Sequence, residues 1–294
     1  VLLPKVSNML DNQKRTELRQ ILSGKDCIHP GSVYDTISAR IAENLGFEMG
    51  MFAGSIASAV ILGAPDYIVL TLTEFANQAR RICRGTNLPI LVDADHGYGN
   101  ALNVKRTVEE LENAGVAALT IEDTLLPRSF GNGAATLISI DEGIGKMKSA
   151  LSGRTDPGLV IAGRTSAVQI SGTNEAILRA QAYEAAGVDA LFFTGITTRN
   201  QLKEVSESIR IPIMLGTLSE ELSDRKYLSS MGVRIALQGH LPYMAGVKAV
   251  HDTLKKLRSG QTPKSLSKDK KYDEMMKKVT TEDNYNSWIS EFME

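Results

Sequence analysis

Apolar and polar positions along this chain fall into two alternating rhythms. Short continuous apolar runs have the length of buried strands, and the stretches between them carry apolar residues at helical spacing. Residues 1–24 predict a helical lead-in stopped by Gly24, and residues 26–29 a first strand before the Pro30-Gly31 turn. Ile37, Ile41 and Leu45 mark a helix over 34–45, and residues 47–53 predict a second strand. A helix capped by Thr73, with Glu74 in its first turn, leads to a strand over 89–95. Asn100 or Asn103 opens the next helix, and residues 117–123 form a fourth strand. A Gly-rich irregular segment, 125–135, precedes a helix over 141–151. Strands at 159–165, 190–196, 212–217 and 235–238 then alternate with helices over 174–186, 200–208, 220–231 and from 240 to 257.

Eight strands, each separated from the next by a helix, imply a parallel sheet, and eight units fit a closed (β/α)8 TIM-type barrel. The steps Leu45-Gly46-Phe47, Ala114-Gly115-Val116, Ala186-Gly187-Val188 and Met231-Gly232-Val233 share one pattern, a glycine in the left-handed cap feeding the next strand. They mark the bottom of the barrel. From Ser259 the character changes: residues 264–278 are Lys-rich, and Tyr285, Trp288, Ile289 and Phe292 recur at helical spacing. The expected organisation is a barrel with its helical lead-in over 1–258, then a linker and helical tail over 259–294 that is no independent domain. The tail's apolar stripe needs a surface, on its own barrel or on a neighbouring subunit.

Composition narrows the class. The chain has 294 residues, 43% of them hydrophobic, enough for a barrel-sized core. Lys plus Arg number 33 and Asp plus Glu 34, so no charge bias points to nucleic acid or a membrane surface as partner. Cys27 and Cys83 have no metal-ligand spacing and read as thiols of a reducing compartment. No apolar run is long enough to cross a bilayer, and Val1-Leu2-Leu3-Pro4 is too short for a secretory signal. The expectation is a soluble cytoplasmic protein.

The chemistry centres on Val92-Asp93-Ala94-Asp95-His96-Gly97-Tyr98-Gly99-Asn100. On a strand, Asp93 and Asp95 would point the same way, and two buried carboxylates on one face call for a cation. Chemistry in such a barrel sits at the C-terminal strand ends, and reading those ends collects Ser55, Asp93, Asp95, Glu122, Arg164 and His240, with Asp66 just beyond the second strand. The carboxylates can hold one Mg²⁺, partly through water. Arg164 offers a fork to a substrate carboxylate, and Gly54 and Ser55 offer N–H groups and a hydroxyl to the same anion. A small 2-oxo acid suits this set. Taken singly, Arg164 reads equally as an ion-pair partner of Glu122, Ser55 as a helix cap and His240 as a structural histidine. His29 and Cys27 read as core or rim, and His251 as surface.

These residues resemble the isocitrate lyase / phosphoenolpyruvate mutase superfamily. The Asp93–Asn100 stretch looks like its metal motif, and Ala53-Gly54-Ser55, Gly63-Ala64-Pro65-Asp66, Thr120-Ile121-Glu122-Asp123 and Ala162-Gly163-Arg164-Thr165 match further. Within it the chain is most similar to the oxaloacetate decarboxylase branch, to which Gly239-His240 and a loop without Cys point. The resemblance implies Asp95 as direct Mg²⁺ ligand (Mn²⁺ being the alternative), with Asp66, Asp93 and Glu122 holding its waters. It implies Gly54, Ser55 and Arg164 as carboxylate contacts, His240 as a polar partner of the substrate, and a homotetramer with swapped C-terminal helices. The implied reaction is loss of CO₂ from a 2-oxo dicarboxylic acid, oxaloacetate to pyruvate, through a metal-stabilised enolate. The segment 126–131 lacks the Cys and His of the lyase branches, which argues against cleavage that must return a proton to a carbanion. The chain also departs from the decarboxylase branch. Leu218 stands where that branch has Tyr, Ser166 where it has Asn, and Ala53 where it has Gly. Two other readings stay open: a carbon–carbon lyase or phosphonopyruvate-type hydrolase on a related 2-oxo acid, and a barrel that binds such an acid without turning it over.

Overall fold

A computed structural model describes residues 6–131, 133–266 and 271–294; parts of the expected lead-in, Gly-rich segment and Lys-rich linker lie outside the described residues. Among the described residues eight strands form one parallel sheet in chain order: β1 Gly31–Ser32, β2 Gly50–Phe52, β3 Ile90–Asp93, β4 Ala118–Glu122, β5 Val160–Thr165, β6 Ala190–Phe193, β7 Ile213–Leu215 and β8 Val233–Ala236. The sheet curls until its ends meet. Ile28 bridges Ile235 in parallel, donating its N–H to Arg234 O at 2.9 Å and accepting from Ala236 N at 3.0 Å. This is the (β/α)8 barrel that the alternation predicted. The expected first strand over 26–29 comes out divided. Pro30 has no N–H for the ladder, so Ile28 pairs with β8 while Gly31 and Ser32 pair with β2.

The helices surrounding these strands are α1 Val6–Ser23, α2 Thr36–Asn44, α3 Gly54–Ala57, α4 Leu72–Cys83, α5 Ala101–Asn113, α6 Ile140–Gly153, α7 Ala167–Ile170, α8 Thr173–Ala186, α9 Arg199–Ser208 and α10 Arg225–Ser230. Their starts follow side-chain chemistry. Asn100 caps α5 and closes a capping box with Asn103. The cap of α4 is Thr71, not the expected Thr73. Thr71 accepts from Glu74 N at 3.3 Å, and the Glu74 carboxylate accepts from Thr71 N at 3.0 Å. Only a spacing of three residues lets the two caps reciprocate, and Thr73 lies beside Glu74. The expected helix over 220–231 is split into a 3₁₀ turn, Glu220–Leu222, and α10, because Asp224 caps a new helix by accepting from Lys226 N at 2.9 Å. The four cap glycines, Gly46, Gly115, Gly187 and Gly232, all take positive φ, between 78° and 100°.

Every residue of β2, β3, β4, β6 and β7 is buried, as strands covered on both faces require. The lower end is tied to α1: Lys14 donates to Cys83 O at 2.6 Å, and Arg15 to Val116 O at 3.1 Å and Glu112 O at 2.9 Å. The chain divides into two compact units, the barrel up to Gly239 and a helical unit from His240. The second comprises α11 Leu241–Arg258, α12 Pro263–Leu266, α13 Lys271–Thr280 and α14 Glu282–Phe292, so α11 groups with the tail by its contacts. No described helix is long and apolar enough to cross a membrane.

Candidate active site

Three of the predicted acids converge with Arg164 at the C-terminal ends of β3, β4 and β5. Glu122 and Arg164 are register partners on adjacent strands, and Asp93 is the partner of Thr120. One terminal nitrogen of Arg164 donates to Asp93 Oδ2 in a very short contact, and the other reaches Glu122 Oε2 at 3.4 Å. The guanidinium lies 5.5 Å from the centre of the Phe192 ring. Asp93 and Glu122 together raise its pKa despite burial, so Arg164 stays charged. Its Nε–H is buried and has no acceptor among the described residues. Of the two readings of Arg164 left open by the sequence, the ion pair is the one on view: its two terminal nitrogens face Asp93 and Glu122.

Asp95 reaches the cluster by a different route from the one expected. The strand ends at Asp93, and Asp95 has left-handed backbone, φ 49°, so the period-two argument does not place it. A turn does. Asp95, Gly97, Tyr98 and Gly99 all have positive φ, at 49°, 77°, 60° and 147°. Asp95 N donates to Asp93 Oδ1 at 3.3 Å, and Asp95 O accepts from Glu122 N at 2.8 Å. These bonds lay the Asp95 carboxylate against the backbone of α3. A Cβ on Gly54 would stand 2.7 Å from Asp95 Oδ1, so only glycine leaves room for that carboxylate. Ser55 follows in the same turn of helix, half-buried.

The electrostatics are those of an under-neutralised acid cluster. Burial, and then the charges of Asp93, Glu122 and Asp66, hold the Asp95 carboxyl well above the usual carboxylate range, against the pull of Arg164. Burial also raises Glu122. Asp66, after the π-helical turn Ser58–Leu62, is exposed as a residue, yet burial of its carboxyl and the charge of Asp93 raise it too. One guanidinium faces four carboxylates, a donor set that is all oxygen and fits a hard divalent cation. Among the described residues no three groups stand close enough to form a closed ligand cage.

Several contributors carry no signal of their own in the motif. Thr120 donates to Asp93 Oδ1 at 2.9 Å and Thr124 to Glu122 Oε2 at 3.1 Å. Thr120, Glu122 and Thr124 are two apart along β4 and its continuation, so strand periodicity could have found both. Phe192 and the buried Tyr98 hydroxyl, which has no partner among the described residues, had no such signal. His240 stands at the N-cap position of α11 and begins the second unit, and Cys27 and Cys83 are both buried. Burial pushes their thiols up, to about 11 and about 12.

A family model described as phosphoenolpyruvate phosphomutase matches residues 18–258. The chain belongs to the phosphoenolpyruvate phosphomutase family. Among curated members of related sequence, a protein named oxaloacetate decarboxylase from Bradyrhizobium diazoefficiens is 62% identical over 258 residues, which cover 88% of this chain and 90% of that protein. Among solved structures of the same fold, a phosphoenolpyruvate phosphomutase from Streptomyces platensis subsp. rosaceus superposes with a TM-score of 0.84 at 25% identity, over 95% of this chain and 99% of that one. An oxaloacetate acetylhydrolase superposes with a TM-score of 0.82 at 25% identity, over 95% and 98%. The family is catalytic, and the resemblance drawn from the motifs is borne out.

Proposed function

We propose that this chain is a lyase that removes CO₂ from oxaloacetate to give pyruvate, with Mg²⁺ as its working cation and Mn²⁺ as a substitute. The observation that carries this reading is the cluster of Asp93, Asp95, Glu122 and Asp66 around a single Arg164. It has the right charge for a cation and contains neither Cys nor Lys. The naming of relatives up to 62% identical as oxaloacetate decarboxylases supports the substrate. Asp95 would hold the cation directly, with Asp66, Asp93 and Glu122 on its waters. A bound divalent cation supplies a Lewis acid for the ketone and a counter-charge for the enolate. Arg164, with Ser55 and the Gly54 backbone, would anchor the carboxylate that is retained and set the breaking bond across the carbonyl plane. The C3–C4 bond breaks, its electron pair enters the enolate, CO₂ departs, and a proton then adds to C3. His240 is the proposed polar partner of the departing carboxylate.

Two further parts of the reading concern assembly and compartment. Helix α11 has no buried residue and exposes Leu241, Met244, Val247, Val250, Leu254 and Leu257, a stripe at spacings of three and four. Tyr285, Trp288, Ile289 and Phe292 are exposed on α14. These faces support a homotetramer in which the C-terminal helices swap between subunits, and the free cysteines suit the cytoplasm.

The deciding experiment measures pyruvate release from oxaloacetate with Mg²⁺ and with excess chelator, after subtracting the rate due to the metal alone. The expected result is metal-dependent turnover that Asp95→Ala abolishes. Turnover of a different 2-oxo acid from a panel, with none of oxaloacetate, would replace the decarboxylase reading with the lyase or hydrolase one, and metal binding without any turnover would leave a binding barrel.

A further inference from the structure

The turn that carries Asp95 is held from outside by side chains of two helices. Thr107 of α5 is fully buried and donates to Gly97 O at 3.0 Å. Ser149 of α6 donates to Ala101 O in a very short contact. Between them, Lys146 of α6 donates to His96 O at 2.9 Å. Lys146 is the unusual member. It is 3% exposed, and among the described residues no carboxylate lies within ion-pairing distance of its ammonium. Burying an ammonium against a single carbonyl is unfavourable, and a structural site would fill the same space better with Leu or Met. The charge has a setting that explains it. Burial lowers its pKa, and Glu142 on its own helix and Glu122 and Asp123 at the end of β4 act against that.

We propose that Lys146 is a positioning residue for the metal centre. Its ammonium pins the His96 carbonyl, fixing a turn in which Asp95 and Tyr98 both hold left-handed backbone, and so sets the Asp95 carboxylate against Gly54. Left-handed backbone is unfavourable for residues other than glycine, and it persists only where the surroundings over-determine it. Two carbonyls of one short turn, His96 O and Gly97 O, and Ala101 O at the first residue of α5, each held by a side chain from a packed helix, are such surroundings. The Lys146 ammonium also interacts electrostatically with Glu122, one acid of that cluster. The inference that this serves cation binding rests on the metal reading given above.

The test uses Lys146→Met, which keeps the volume and removes both charge and donor, with Lys146→Gln as a second variant. Amide hydrogen exchange is followed in chelated protein, and Mn²⁺ binding is measured by the loss of free-ion electron paramagnetic resonance signal. Exchange over residues 96–101 should quicken at least ~10-fold while the strands stay protected, Mn²⁺ affinity should fall by a similar factor, and the metal-free melting temperature should hold or rise. Unchanged exchange over 96–101 in a folded variant overturns the proposal. So does faster exchange with wild-type Mn²⁺ affinity. If the wild-type protein itself binds no Mn²⁺ while 96–101 still loosens in the variant, the tether stands and the metal reading is what fails.

Discussion

Gly54→Ala is the sharpest test of the site's geometry, because the three atoms nearest the added methyl group all belong to the Asp95 carboxylate. The new Cβ would stand 2.7 Å from Oδ1, 2.8 Å from Oδ2 and 3.0 Å from Cγ. Gly54 has no left-handed φ, so alanine costs nothing in backbone strain, and it starts α3 at least as well as glycine. Asp95 cannot retreat by moving its backbone. Its N–H is bound to Asp93 and its carbonyl to Glu122, at 3.3 and 2.8 Å. The carboxylate must therefore turn away from its place. Forcing one methyl group into a filled site costs about 1–3 kcal/mol. If that cost falls on the arrangement that takes the cation, affinity drops roughly 5- to 150-fold, since about 1.4 kcal/mol is a factor of ten. Calorimetric titration of Mn²⁺ into chelator-stripped wild type and variant measures this directly, with melting of the metal-free proteins as the control for folding. A folded Gly54→Ala protein that binds Mn²⁺ within twofold of wild type would refute the placing of Asp95 as the direct ligand.

Two predictions concern stability. Gly143 and Gly145 lie two apart on α6 and should respond with opposite signs to alanine. A Cβ on Gly143 would stand 2.3 Å from the Tyr183 hydroxyl, which donates to the buried Asp123 at 2.8 Å, whereas one on Gly145 meets nothing within 4 Å. Gly143→Ala should lower stability by about 1–3 kcal/mol and Gly145→Ala raise it by about 0.5–1 kcal/mol, by urea unfolding. The second prediction uses pH. Asp95 binds its proton more tightly folded than unfolded, so its contribution to stability is present below its ordinary pKa of about 4 and is lost as pH rises through the raised value. In chelator, Asp95→Asn should therefore be more stable than wild type, by a margin that widens as pH rises from about 4 towards neutrality. His96, held at about 4, gives the opposite slope in both proteins and cancels in the difference. A margin that narrows with rising pH would mean that the cluster is better neutralised than its geometry indicates.

The barrel is legible in the sequence because strands buried on both faces read as unbroken apolar runs and because glycine caps punctuate four of the returns to the bottom, as at Gly115 and Gly187. The departures are local. The Thr71 cap escapes a reading that weighs an acid in the first turn above the three-residue reciprocity of a capping box. The short α3 and the π turn after it go unforeseen, since four residues show no period. At the site, the identities of Asp93, Asp95, Glu122 and Arg164 are readable from strand ends, but strand periodicity is not what aims Asp95. Its direction comes from a left-handed turn, and the strand rule happens to point the same way. Lys146 and Phe192 lie on α6 and β6, far from the motif along the chain. Lys146 meets His96, and Phe192 meets Arg164, only in space, which no linear pattern encodes.

The site's chemistry also limits which reaction the barrel can run. Cleaving a carbon–carbon bond to release a carbon acid needs a group that returns a proton to the carbanion. Neither cysteine can serve, since both are buried with thiols raised to about 11 and about 12. The segment 125–135 offers only Arg128, Ser129 and Asn132 as polar side chains, none of which titrates near neutrality. Loss of CO₂ makes no such demand while the bond is breaking. The electron pair passes into an enolate, and the proton can arrive later from water. What the protein must then supply is a fixed carboxylate anchor and a place for positive charge beside the ketone, the two roles proposed above for Arg164 and the acids around it. The same cluster explains why the acids are retained at all. Without a cation they repel one another in a buried setting, which is a cost that a merely structural barrel would have no reason to carry.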